Sequence, residues 1–144
     1  MNIQEYRKDN YEISTNKEKL DIFTIHQFLT NSYWSKGITA DKVIKSIDNS
    51  LCFGAYEGKK QIGFARVVTD YSLFGYLADV FIVEDYRGRG LSKWLIQCIL
   101  DHPEIKNLKT WMLATKDAHG LYEKFGFNKL EEPEKYMRRR NRNF

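Results

Sequence analysis

Two glycines and two arginines alternate at residues 87–90, inside the stretch "VEDYRGRGLSKWLIQCIL" that runs from 83 to 100. An apolar run precedes them and an amphipathic helical pattern follows. That setting suits an anion. A helix start presents backbone N–H groups with no intrahelical partner and the positive end of the macrodipole. Gly88 and Gly90 let this backbone approach a bulky anion, and successive amides in such a turn form a concave nest for phosphate oxygens. Arg87 and Arg89 add charge at the rim. Neither a GxxxxGK[ST] phosphate loop nor the GxGxxG spacing of a dinucleotide fold is present. A plain surface turn is the alternative.

Further candidates are scattered along the chain. Asp79 interrupts the apolar run "YLADVFIV" (76–83), where an unpaired carboxylate is expensive, and this makes it a candidate general base. Strand alternation sets it on one face with Phe81 and Val83. The competing role is a structural ion pair with Arg66, itself set among apolar strand residues. Arg66 could instead receive a substrate carboxylate. Tyr33 and Trp34, in "NSYWSKG" (31–37), offer two aromatic faces to a cationic amine or, more plainly, cap the core. Asp117 and His119 read as a helix N-cap and a first-turn surface residue, and His26 and His102 have no evident partner. Cys52 and Cys98 lie in apolar patterns without metal-ligand spacing, so no metal is expected.

The elements that must position these residues follow from periodicity. "YEIST" (11–15) reads as a first strand, and "TNKE" (15–18) as a capping box with Thr15 as N-cap and Glu18 three residues on. Leu20, Ile22, Phe23, Ile25, Phe28 and Leu29 give the next helix one broad apolar face. A second helix starts near Thr39 and carries Val43, Ile44 and Ile47. "LCFGAYE" (51–57) and "QIGFARVVT" (61–69) flank the turn "GKK", a hairpin signal, and 76–83 reads as a strand buried on both faces. A helix from about Arg89 stops at "DHPE", where Pro103 cannot continue it. Then come a strand over 108–115, a short helix in "DAHGLYEKFGF" with Gly126 at C′, and a last strand or two in "FNKLEEPEKYMRR". The order β-α-α-β-β-β-α-β-α-β predicts an α/β domain, a mixed sheet with helices on its faces.

Composition bounds the rest. A chain of 144 residues, 42% hydrophobic and 15% aromatic, can bury a core as a single domain, 1–144. No apolar run approaches the ~20 residues of a membrane span, and the polar N-terminus lacks a signal-peptide core. A reduced, cytoplasmic protein that is not membrane-bound is expected. The net charge of +4 sits largely in "YMRRRNRNF", a pattern typical of a solvated terminus. A nucleic-acid-binding module fits poorly, because "EKFGFN" does not match the RNP1 pattern and the aromatics lie in apolar segments.

Arg87-Gly88-Arg89-Gly90-Leu91-Ser92 resembles the [QR]-x-x-G-x-[GA] pyrophosphate loop of the GNAT superfamily, the acyl-CoA-dependent N-acyltransferases. "LADVFIVEDYRGRGL" and "DAHGLYEKFGF" extend the likeness, and the element order is that family's order. Ser92 departs from the usual Gly or Ala, and Thr115 stands where many members have asparagine. The resemblance implies a central mixed, mostly antiparallel sheet flanked by about four helices. It implies acetyl-CoA as co-substrate, its pyrophosphate on the amides of residues 88–92 and its pantetheine arm beside Phe81, Ile82 and Val83. An amide at that point would polarise the thioester carbonyl, as an oxyanion hole does. Tyr122 matches the tyrosine of the family's "LY-x-x-x-G-F" stretch and is implied as the acid at the departing thiolate; anchoring a helix to the sheet is its plainer role. The implied activity is acetyl transfer to a primary amine, of a small molecule, by direct attack in a ternary complex. A protein N-acetyltransferase and a non-catalytic acyl-CoA sensor are the alternatives, and a homodimer is compatible with the family.

Overall fold

The apolar periodicities become ten elements in the computed structural model, which describes residues 1–143. In order these are β1 (Glu5–Lys8), β2 (Tyr11–Ser14), α1 (Ile22–Thr30), α2 (Ala40–Asp48), β3 (Leu51–Glu57), β4 (Lys60–Thr69), β5 (Phe74–Ile82), α3 (Leu91–Asp101), β6 (Thr110–Leu113) and α4 (His119–Glu123). The six strands form one sheet in chain order. Every neighbouring pair is antiparallel except β5 and β6, which run parallel and are joined through α3. A parallel pair needs such a crossover. The sheet is therefore mixed and mostly antiparallel, with four helices, as expected.

Each face of the sheet buries its own cluster. On one side Leu95, Ile96 and Ile99 of α3 pack on Phe53, Ala65, Val67 and Leu77. On the other, Ile25 and Leu29 of α1 and Val43 and Ile47 of α2 pack on Cys52, Phe64 and Phe81. Adjacent strand residues such as Cys52 and Phe53 serve opposite faces, as the period of two demands.

Local chemistry departs from the sequence expectations at several points. Thr15 does not cap a helix; its Oγ1 accepts from the Gln4 amide. Asn16 caps a 3-10 turn over Lys17–Lys19, and Asp21 caps α1 by accepting from the Thr24 amide. Phe23 and Ile44 are exposed, at 73% and 41%, because each faces away from the sheet. The first strand gains a partner, β1, whose polar sequence EYRK shows no apolar alternation. β5 is only partly buried in its middle. Asp117 is not an N-cap; Ala118 holds that position, and its amide donates to Thr115 Oγ1. No strand forms within residues 127–143, where only a 3-10 turn over Pro133–Lys135 occurs. Residues 128–143 are all exposed, and a strand without a sheet neighbour has no ladder to join.

No helix among the described residues is long and apolar enough to cross a membrane.

Candidate active site

Three features meet at one end of the sheet. The first is the start of α3. Gly88 and Gly90 have φ of +79° and +78°, the left-handed region that L side chains rarely adopt. A Cβ at either position would meet nothing within 4 Å, so glycine answers a need of backbone angle rather than of space. Gly90 is the N-cap and brings no side-chain acceptor, and the first intrahelical bond runs from the Trp94 amide to Gly90 O. The amides of Leu91, Ser92 and Lys93 are thus left facing outward at the positive end of the helix. The arginines are held beside this turn. Arg87 Nε donates to Ile82 O at 2.9 Å. Arg89 donates to Tyr11 Oη and to Asp85 O and lies 4.7 Å over the Tyr86 ring.

The second feature is a split between parallel strands. Pairing of β5 with β6 ends at Leu77–Leu113, whereas β5 continues to Ile82. The edge of residues 78–82 that faces away from β4 has no strand beside it, which leaves backbone groups open to a ligand running toward α3. A bulge marks the start of the split. Phe64 pairs with Phe81 but Arg66 pairs with Ala78, so β5 carries one residue more than β4 between these points. Asp79 takes up the difference at φ +55°, an uncommon conformation for a non-glycine residue. Ala78 and Asp79 consequently share the α1–α2 face, with Phe81.

The third feature is the side-chain network at that bulge. Asp79 Oδ2 accepts from Arg66 Nε at 2.9 Å, and Oδ1 accepts from the Trp34 indole N–H at 2.9 Å. Arg66 Nη1 also donates to Ser50 Oγ at 3.1 Å. The ion pair weighed from the sequence is therefore present, with side-chain exposures of 18% and 9%. Trp34 stands edge-on to Tyr33, and Phe28 stacks on Phe81 with ring centroids 3.9 Å apart. Tyr33 Oη accepts from the Lys116 amide, so the loop after α1 bridges to the loop after β6, across the split.

Tyr122 lies on α4 with its ring against Phe127, and it lines a cleft of about 480 Å³ along β6 together with Thr115 and His119. Its hydroxyl makes no hydrogen bond to any described residue. Burial raises its pKa above the ordinary phenol value, and the neighbouring Tyr33 adds to the rise. His26 and His102 stand apart from this chemistry. His26 Nε2 lies 2.9 Å from Ile38 O. His102 is buried at the end of α3, its Nδ1 accepting from the Glu104 amide.

The structure puts the α3 start and the Asp79 bulge at one end of the sheet, and the sequence implied only through its family resemblance that the loop of residues 87–92, Asp79 and Tyr122 share a site. It did not show the bulge, because one extra strand residue leaves no mark in an apolar run. It also did not show that Phe28 joins the aromatic wall, since at helical spacing it reads as core.

A mixed sheet split beside an uncapped, glycine-led helix leaves an open, elongated path that ends on outward amides. The family model for the acetyltransferase (GNAT) domain matches residues 48–129, more than half of the chain. A GNAT-family protein of known structure from Xanthomonas campestris pv. campestris is 42% identical, with a TM-score of 0.90 over 92% of this chain and 94% of that one. A candidate acetyltransferase of Gibberella zeae is 27% identical over 142 residues, covering 84% of this chain and 80% of the relative. A candidate acetyltransferase from Clostridium acetobutylicum, solved with acetyl-CoA, shares the fold at a TM-score of 0.66 and 15% identity, covering 91% of this chain and 95% of that one. The chain belongs to the GNAT acetyltransferase family.

Proposed function

We propose that the chain, as the single domain of residues 1–144, transfers an acetyl group from acetyl-CoA to a primary amine of a small molecule. The reaction proceeds by direct attack in a ternary complex. One observation carries this: the outward amides of the α3 start and the open edge of β5 lie in line at one end of the sheet. The residues present fit the coenzyme. Residues 88–92 would receive its pyrophosphate on backbone N–H groups, and Phe81, Ile82 and Val83 would flank its pantetheine arm. When bound it supplies the activated acyl group.

The chain's own groups then have three tasks. An amide of the open β5 edge polarises the thioester carbonyl. Tyr122 offers to the departing sulfur a hydroxyl that bonds to no described residue. A phenol near ~10 is a weaker acid than a thiol near ~8.5, so full proton transfer is uphill by roughly 2 kcal/mol, and burial makes it steeper. Hydrogen bonding as the thiolate forms is the role that fits. Asp79 is the proposed proton acceptor for the amine. Arg66 and Trp34 use one acceptor position on each carboxylate oxygen and leave others open. Tyr33, Trp34 and Arg66 form the acceptor end. The proposed setting is the cytoplasm, where Cys52 and Cys98, both free and buried, stay reduced.

Thermal shift with acetyl-CoA, CoA and an oligonucleotide, followed by thiol release with an amine panel, tests the proposal. Stabilisation by the coenzyme alone and turnover with a small amine are expected. Stabilisation without turnover would indicate a sensor, turnover confined to peptides would indicate a protein acetyltransferase, and no response to coenzyme would overturn the proposal.

A further inference from the structure

Three large aromatic side chains are exposed at one place: Phe23 at 73%, Tyr33 at 58% and Trp34 at 40%. With Phe28 and Val83 they line a cleft of about 610 Å³ between α1 and the end of β5. Four neutral polar residues complete the wall, and no charged side chain is part of it. The volume is that of a small-molecule site. Phe23 belongs to neither buried cluster of the fold. An exposed phenylalanine in the first turn of a helix adds nothing to the core, and a contiguous apolar patch marks a place of binding.

The wall is held rigid from behind. Phe28 stacks on Phe81 at 3.9 Å, and the Trp34 indole is tied to the Asp79–Arg66 pair. Rigid aromatic faces bind flat or branched apolar bodies at little entropic cost. Val83 joins the cleft to the strand end where the acyl group is proposed to lie. Arg66 gives Nε to Asp79 and Nη1 to Ser50 and does not line the cleft, so no described cation lines it to receive a substrate carboxylate. Lys116 lies 5.5 Å over the Tyr33 ring without lining the cleft, and no carboxylate of a described residue lines it to hold a second ammonium.

We infer that this cleft holds the apolar body of the acceptor, whose class is a primary amine on an aromatic or branched aliphatic frame, without a carboxylate or a second cation. The inference rests on the acetyl-CoA-dependent transfer proposed above. The amine enters beside Tyr33 and Trp34, where ring faces and the Asp79 carboxylate favour an ammonium before its proton is lost. Attack forms the amide N–C bond and breaks the C–S bond. The ammonium first gives one proton to the base, and the second proton that the nitrogen sheds on attack ends on the sulfur, which leaves as CoA thiol.

The test pairs coenzyme binding by calorimetry with steady-state acetylation. Acceptors are 2-phenylethylamine, tryptamine and isoamylamine against spermidine, lysine, glucosamine and a short peptide with a free N-terminus. The apolar amines are expected to exceed the polar ones in kcat/KM by roughly 10-fold or more, the scale of one buried apolar group. Phe23→Ala, at an exposed site, is expected to raise the KM for 2-phenylethylamine about 10-fold with the Kd for acetyl-CoA unchanged. Equal or better turnover of a polar amine or the peptide overturns the inference. A Phe23→Ala effect on acetyl-CoA Kd alone also overturns it, because the cleft would then hold the pantetheine arm. Coenzyme binding without acetylation of any apolar amine overturns the inference and leaves the coenzyme assignment intact; no coenzyme binding overturns both.

Discussion

Tyr122 and Asp79 can be separated by what each loses on substitution. Tyr122→Phe keeps the ring that packs on Phe127 and removes only a hydroxyl that no described residue uses. The expected outcome is a kcat reduced roughly 10-fold or more with the coenzyme Kd unchanged, read from steady-state rates and calorimetry. Asp79→Asn is expected to lower kcat roughly 10-fold or more with the coenzyme Kd unchanged; an intact kcat would reduce Asp79 to holding Trp34 and Arg66. Arg66→Leu tests that holding role separately. It leaves the partly buried Asp79 without its cation, which costs about 1–3 kcal/mol and is read as a lower Tm. His102 bears on stability alone. It is fully buried, and burial lowers its pKa from 6.5, so the unfolded chain takes up a proton first as pH falls. Stability is complete above about pH 6.5 and is lost progressively below it. His102→Gln is expected to flatten this acid slope of Tm against pH.

At the scale of elements, the loop before α3 and the split between β5 and β6 are a single device. Left-handed turns at Gly88 and Gly90 aim the first amides of α3 outward, and the split opens the path that leads to them. Gly90→Ala is expected to cost about 1–2 kcal/mol in stability from backbone strain and to weaken acetyl-CoA binding, both measurable by thermal shift with and without ligand. This loop was legible in the sequence because its two glycines and its helix pattern are local. The long apolar strands and α2 with its Thr39 cap were legible for the same reason. β1 was not, since EYRK acquires its order from pairing with β2 rather than from its own pattern. The Thr15 signal misled because Asn16 takes the Glu18 amide, and α1 starts only at Ile22 behind its own cap, Asp21. Nor was the bulge at Asp79 legible, as it depends on the register of β4.

Across the whole molecule, the two helical layers divide the work. The α3–α4 side holds the larger core and presents the outward amides of α3 and Tyr122. The α1–α2 side supplies the aromatic wall, fixed through Phe81 and Asp79 to the opposite face of the same strand split. In the proposed reaction donor and acceptor would approach from different layers and meet at the sheet edge, as direct transfer in a ternary complex requires.

The segment after α4 has a consequence of another kind. Residues 128–143 are exposed throughout and form no strand, and their backbone bonds stay within the segment. Lys129, Lys135, Arg138, Arg139, Arg140 and Arg142 all lie there. Such backbone enters a protease without prior unfolding. Brief trypsin treatment of the folded protein is expected to shorten it from this end while the remainder resists, with Tm shifted little. Cleavage that starts inside the sheet instead would show that the segment is held in place.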